Sequence, residues 1–288
     1  MDIKWLKTFV VAAGFENFRK ASEELYLTQP AISKHIKRLE EHLQIDLFER
    51  SGKKVILTDA GHHFLPFAEE LILSYEEGME RFDSWKQGYH RKLTIAAAPQ
   101  IASSFLPPLL RTFMDENDDI EVLINVVNSF EIGDEVNTGR AELGLTRVIP
   151  IQTNLNAEAV HNEPVILVGT NVEGKINSIK ESQVLSDYRL ITNNHPDYWD
   201  TLLKDVKKHY PNVRTMAVNQ IEVTKKFIEN GLGVSYLPVS MVKDEIEANN
   251  LIEIKPEKIA APNSETYVLT KIETEEARSF IAFLKESL

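Results

Sequence analysis

In Leu27-Thr28-Gln29-Pro30-Ala31-Ile32-Ser33-Lys34-His35-Ile36-Lys37-Arg38-Leu39-Glu40-Glu41-His42-Leu43, the apolar residues Ile32, Ile36, Leu39 and Leu43 recur at helical intervals. At about 100° per residue they fall within one narrow stripe, which predicts a helix with that side buried. Thr28 suits the N-cap and Pro30 the first turn. The opposite side carries Ser33, Lys34 and Lys37, with Gln29 and Pro30 at the leading end and Arg38 at the flank. Glu40 and Glu41 arrive only later, so the first two turns can face a polyanion and the last cannot.

On the N-terminal side of this stretch, Leu6, Phe9, Val10 and Ala13 mark an amphipathic helix that stops at Gly14, and Ala21 and Leu25 a short second one over 18–25. Beyond the quoted stretch, Phe48 to Thr58 reads as two short strands around Ser51-Gly52, with basic residues at the tip. From Thr58 to about Gly88, Phe64, Ala68, Leu71, Tyr75, Met79 and Phe82 are spaced by threes and fours on one long helix. This stripe suits pairing with the same helix of a second chain, or packing on its own domain. Pro66 inside it is expected to bend or locally break the helix near residue 62.

After about residue 91 the pattern changes. Strand-like Lys92–Ala98, Ile120–Val127 and Glu142–Thr146 alternate with helical Ser103–Asn117 and 129–138, which predicts a mainly parallel sheet. A similar alternation runs from Pro164–Gly169 to Leu251–Ile254, with helices near 197–210, 220–230 and 239–248. Strand Glu265–Thr270 and helix Thr274–Leu288 then return to the first set. The expectation is α/β overall: a winged helix-turn-helix over 1–58, a linker helix over 59–90, and a two-lobed unit over 91–288. One lobe takes 91–162 and 264–288, the other 163–263, with a ligand cleft beyond the strand ends.

Composition narrows the function. The net charge of −12 argues against polyanion binding until its distribution is considered. Residues 1–60 hold ten Lys and Arg against nine Asp and Glu, and the acidity lies in the rest. Zero cysteines exclude thiolate zinc sites, iron–sulfur clusters and a cysteine nucleophile. No apolar run is long enough to span a bilayer and no secretory leader is legible, so a cytoplasmic protein without membrane contact is expected. The eight histidines show no metal-ligand spacing and read as surface or helix-face residues. Phosphate-cradling and nucleophile-elbow motifs are absent, so no enzyme and no cofactor are expected.

The run Leu6-x-x-Phe9, Ala21-x-x-Leu25, Thr28-Gln29-Pro30-Ala31-Ile32-Ser33, Ile36-x-x-Leu39-Glu40, Leu47-Phe48-x-Arg50 and Leu57-Thr58-x-Ala60-Gly61 closely resembles the DNA-binding domain of LysR-type transcriptional regulators. Leu106-Pro107, Glu142-Leu143-Gly144-Leu145 and Asn230-Gly231-Leu232-Gly233-Val234-Ser235-Tyr236-Leu237-Pro238 resemble that family's effector domain more loosely. The resemblance implies a periplasmic-binding-protein-like effector domain, a linker helix that makes dimers and tetramers, double-stranded promoter DNA as partner, and contact with RNA polymerase.

On chemistry, Gln29, Ser33 and Lys34 are candidates for base edges and Pro30 for a thymine methyl. Thr28, Lys37, Arg50, Lys53 and Lys54 suit phosphates, with Arg38 flanking. For the effector, Pro99, Gln100, Ile101 and Ser103 lie at a strand-to-helix junction, and Ser129, Gln220 and Ile221 at other helix starts. Thr146 and Arg147 end one strand, Tyr236 and Pro238 another. Arg147 either offers a forked pair to a ligand carboxylate, making a small anion the expected effector, or closes a salt bridge between lobes. A solute-binding protein without DNA affinity is the competing reading, and it leaves the basic helix face unexplained.

Overall fold

A computed structural model describes residues 1–51, 54–171 and 180–288. The chain forms two compact units, Met1–Gly88 and Tyr89–Leu288.

The first unit comprises α1 (Ile3–Phe15), α2 (Phe18–Glu24), α3 (Gln29–Leu43), the hairpin β1 (Phe48–Ser51) and β2 (Lys54–Leu57), and α4 (Asp59–Lys86). Asp2 caps α1 by accepting from the Lys4 N–H at 2.9 Å, and Asn17 caps α2 through the N–H groups of Arg19 and Lys20. Ile32, Ile36 and Leu39 of α3 enter a core with Leu6, Phe9, Ala12, Ala21 and Leu47. Phe48 closes that core at the hairpin, its ring edge-on to Phe9 and Phe18. Thr58 caps α4 by accepting from the Gly61 N–H at 3.0 Å and donates to the Asp46 carbonyl at 2.8 Å. Gly61 packs so tightly that a Cβ there would stand 2.2 Å from the Leu47 carbonyl oxygen.

Helix α4 runs through Pro66 without a break, although the proline nitrogen has no hydrogen for the His62 carbonyl. Its apolar stripe divides. Phe64 and Ala68 pack on the core of their own unit, whereas Leu71, Tyr75, Met79 and Phe82 are exposed along with Phe67 and Trp85. Among the described residues no helix is long and apolar enough to cross a membrane.

The second unit begins with β3 (Arg91–Ala97), α5 (Pro99–Ala102), α6 (Leu106–Glu116), β4 (Ile120–Val126), α7 (Ile132–Asn137) and β5 (Leu143–Thr146). It continues through β6 (Asn156–Thr170), α8 (Glu181–Asp187), β7 (Leu190–Thr192), α9 (Trp199–His209), β8 (Thr215–Ala217), α10 (Ile221–Glu229) and β9 (Ser235–Pro238). A 3-10 turn (Val239–Met241), α11 (Lys243–Glu247), β10 (Leu251–Ile254), β11 (Asn263–Thr270) and α12 (Glu275–Ser287) complete it.

The main sheet runs in the order β10, β6, β11, β5, β3, β4, with β9 also on β6. It is mixed rather than mainly parallel: β3 pairs in parallel with β4 and β5, while β11 and β6 introduce antiparallel ladders. The difference originates in β6, which is longer than its apolar stretch. Residues 156–163 are mostly polar or small and carry no sustained apolar face, yet pair along β11, and Val165 to Thr170 pair with β9 and β10. One strand thus passes from a first apolar core, around Leu93, Ile95, Phe113, Leu143 and Phe280, into a second. In that second part, Val165 and Leu167 face one layer with Trp199 and Tyr236, and Val168 faces another with Ile191, Ile221 and Ile228. Alternation across a strand buried on both faces produces this division.

Candidate nucleic-acid interface and effector cavity

Burial of the Ile32, Ile36 and Leu39 side of α3 fixes what remains outside. Thr28, Gln29, Pro30, Ser33, Lys34, Lys37 and Arg38 are all exposed. Thr28 holds the N-cap position, but its hydroxyl makes no capping bond, which leaves it available to another acceptor or donor. His35 turns inward instead. Thr8 Oγ1, buried in α1, donates to the Lys4 carbonyl at 2.7 Å, so His35 Nδ1, 2.9 Å away, is the donor of that pair and locks α3 against α1. Lys37 lies 3.8 Å from Glu41, and the Arg38 guanidinium stands over the Trp5 ring. Glu40, one residue beyond the basic turns, accepts from the N–H groups of Leu47 and Phe48 at 2.8 and 3.1 Å. That carboxylate orients the hairpin relative to α3. The expectations for Lys53 and for the side chains of Arg50 and Lys54 fall outside the described residues.

In the second unit a cavity of about 160 Å³ lies beyond the carboxyl ends of four parallel-paired strands. Pro99 and Gln100 follow β3, Asn128, Ser129 and Phe130 follow β4, Asn193, Asn194, His195 and Pro196 follow β7, and Asn219 follows β8. Both apolar cores therefore contribute walls. Of the residues expected at this site, Pro99, Gln100 and Ser129 line it. Thr146 acts from behind, its Oγ1 donating to the Ser129 carbonyl at 3.1 Å. Ser103 donates to the Pro99 carbonyl at 2.7 Å, and Gln220 occupies the N-cap position of α10, beside Asn219, without a side-chain capping bond. Ile101 and Ile221 are core residues. Pro238 is a strand residue opposite Val165, and Tyr236 donates its hydroxyl to Glu181 at 3.0 Å. Burial and that carboxylate hold the Tyr236 phenol well above its usual range.

Two expectations are corrected. Arg147 offers no fork to a ligand: it is fully buried, donating to Glu163 Oε1 at 3.1 Å and to Ser264 Oγ at 3.2 Å. The physical reason is that a guanidinium so deep requires a resident counter-charge, and the pairing is the salt-bridge alternative. Glu163 accepts in addition from the N–H and hydroxyl of Ser240 at 2.7 and 2.8 Å, which ties the strand end of the first core to the 3-10 turn of the second. Burial lowers the Arg147 pKa, against the pull of Glu163.

His195 is likewise no surface histidine. It is buried and stacked on Tyr198, its Nδ1 accepting from the Asp197 N–H at 3.2 Å and its Nε2 3.1 Å from Ser264 Oγ. Burial first, and Arg147 second, push its pKa well below 6.5, so the ring is neutral and carries its proton on Nε2. Asn194 is similarly engaged, donating to Ser235 Oγ and accepting from Trp199 Nε1, both at 2.9 Å. The asparagines escaped the sequence reading, although Asn193-Asn194 directly follows an apolar strand and Asn193 adopts φ of 65°, a conformation asparagine tolerates.

A helix-turn-helix with a β-hairpin wing, on a chain whose second unit places a polar cavity at converging strand ends, defines a DNA-binding regulator that senses a small molecule. Residues 3–62 match the bacterial regulatory helix-turn-helix protein, lysR family, and residues 86–288 match the LysR substrate binding domain. The chain belongs to the LysR-type transcriptional regulators, which are not enzymes. It is 40% identical over 286 residues to the HTH-type transcriptional regulator CitR of Bacillus subtilis, covering 99% of this chain and 98% of that one. In fold it is similar to DarR of Vibrio fischeri in complex with DNA, with a TM-score of 0.67 at 20% identity over 99% of this chain and 98% of that one. CbnR complexed with its target DNA has a TM-score of 0.66, also at 20% identity, with both chains fully covered.

Proposed function

We propose that α3 enters the major groove of promoter DNA with Gln29, Ser33 and Lys34 at base edges and Pro30 against a thymine methyl. Thr28, Lys37, Arg38, Arg50, Lys53 and Lys54 hold phosphates. The observation that carries this is the two-sidedness of α3, with Ile32, Ile36 and Leu39 buried and every polar candidate on that helix exposed. A groove-reading helix needs a rigid inner face and a free outer one. The acidic balance of the rest of the chain keeps non-specific attraction low, so affinity rests on a local basic face.

The effector binds the cavity at the strand ends and acts on a cytoplasmic homo-oligomer, a dimer or tetramer formed through the exposed stripe of α4, that works with RNA polymerase. The part from 91 to 288 is read as the two lobes that sequence suggests, joined through the paired strands β6 and β11. Titration of the full chain against its own upstream duplex, by fluorescence anisotropy at several salt concentrations, tests the DNA reading. A linear fall of log affinity with log salt, beside clear preference over a scrambled duplex, supports it. Equal affinity for both duplexes rejects it.

A further inference from the structure

Helix α2 ends in a turn where glycine is the usual residue. Tyr26 stands one position past its C-cap, Leu25, with φ of 53°, in the left-handed region. The Leu27 N–H donates to the Ser22 carbonyl at 2.9 Å and the Tyr26 N–H to the Glu23 carbonyl at 3.4 Å, the two bonds that close a helix around a left-handed residue. Glycine is favoured there because a Cβ crowds the backbone, and asparagine is the common exception. The other non-glycine residues of positive φ among the described residues, Glu16, Gln44, Asn193 and Asn249, are polar. Tyr26 alone places an aromatic ring at such a position.

That ring contributes nothing to the fold. Tyr26 is 96% exposed, more than any other large apolar or aromatic side chain among the described residues. It lies outside the core of the first unit, and neither its ring nor its hydroxyl has a partner in the chain. A strained backbone and an aromatic ring in water are both unfavourable, so a residue that combines them points to a contact outside the chain.

Position selects the kind of partner. Tyr26 comes two residues before Thr28, the N-cap of α3 whose hydroxyl makes no capping bond, and three before Gln29. A duplex seated on the leading end of α3 brings the phosphates of the groove wall to this corner. Glu23 and Glu24 precede Tyr26, and Glu23 is engaged by Arg19 at 3.2 Å, so the donor suited to a phosphate here is an uncharged one. A phenol hydroxyl is such a donor.

Resting on the reading of α3 as the helix that enters the groove, we infer that Tyr26 is a further DNA contact, its hydroxyl donating to a backbone phosphate beside the leading end of that helix. It adds affinity and fixes orientation without reading sequence.

The test uses the full chain in anisotropy titrations against its own upstream duplex and a scrambled duplex, at several salt concentrations. Tyr26→Phe keeps the backbone and the ring and removes only the donor. It is expected to weaken binding to both duplexes about tenfold, the effect of losing one hydrogen bond to a charged group. The slope of log affinity against log salt stays unchanged, because a phenol displaces no counterion. Tyr26→Gly relieves the strain and removes the side chain together, so binding weakens at least as much while the unfolding midpoint holds or rises. Affinity of Tyr26→Phe equal to that of the unaltered chain overturns the inference, as does a loss confined to one duplex or a changed salt slope. A lower midpoint for Tyr26→Gly overturns it as well, because the ring then supports the fold. Lys34→Ala beside them separates the two readings. If it relaxes base preference while Tyr26→Phe has no effect, α3 still reads the groove and Tyr26 is no contact, whereas no effect from either removes both.

Discussion

Single residues carry the most exposed commitments. Gly61 sits where a methyl group would collide with the Leu47 carbonyl, a backbone atom that cannot swing aside. Gly61→Ala is expected to destabilise the first unit by about 1–3 kcal/mol, read from urea unfolding of the full chain. On α3, Lys34→Ala is expected to relax preference at one base position by about 1–3 kcal/mol. Lys37→Ala, by contrast, lowers affinity for all duplexes evenly and reduces the salt slope by about one. A binding matrix measured for both variants distinguishes the roles, and equal, sequence-independent losses contradict them. These positions were legible because an amphipathic helix declares its free side through its buried one. Arg147 was only half legible. Its chemistry suggests carboxylate recognition, but nothing local reveals that the carboxylate is Glu163, a neighbour set by strand pairing and not by chain proximity.

Elements show where pattern reading holds and where it stops. Helices α1 to α4 and strands β3 to β5 follow from periodicity and cap residues. The first half of β6 does not, because Asn156 to Glu163 lacks an apolar face and becomes a strand through its ladder with β11. The same omission made the sheet look mainly parallel. Helix α4 illustrates a pattern with two causes: Phe64 and Ala68 belong to the core of their own unit, and Leu71, Tyr75, Met79 and Phe82 are uncovered in the single chain. Met79→Glu places a charge in the middle of that uncovered stripe. Sedimentation velocity is expected to show it shifting towards monomer at concentrations where the unaltered chain is associated, and an unchanged distribution places the contact elsewhere.

For the molecule as a whole, the buried group around Glu163 joins the two cores of the second unit, and its charge balance makes stability depend on pH. Removing the charge with Glu163→Gln leaves Arg147 buried without its counter-ion, at an expected loss of about 3–5 kcal/mol of unfolding free energy. His195 faces Arg147, the Asp197 N–H, Ser264 and the Tyr198 ring, and its folded pKa lies well below 6.5. The unfolded chain therefore binds more protons below pH 6.5. Stability is fully present above that value and falls as pH drops, by up to about 1.4 kcal/mol per pH unit until the folded pKa is reached. His161, lowered by burial as well, adds in the same direction. Unfolding curves between pH 5 and 7 check this, with a shallower slope expected for His195→Gln. The claim on which the rest depends is that the free face of α3 reads base sequence. Selection of duplexes from a random library by the full chain, repeated with Ser33→Ala and Lys34→Ala, tests it directly. The account predicts a roughly two-fold symmetric motif whose information is reduced at defined positions in each variant. A library returned without any enriched motif, or a motif identical in both variants, contradicts it.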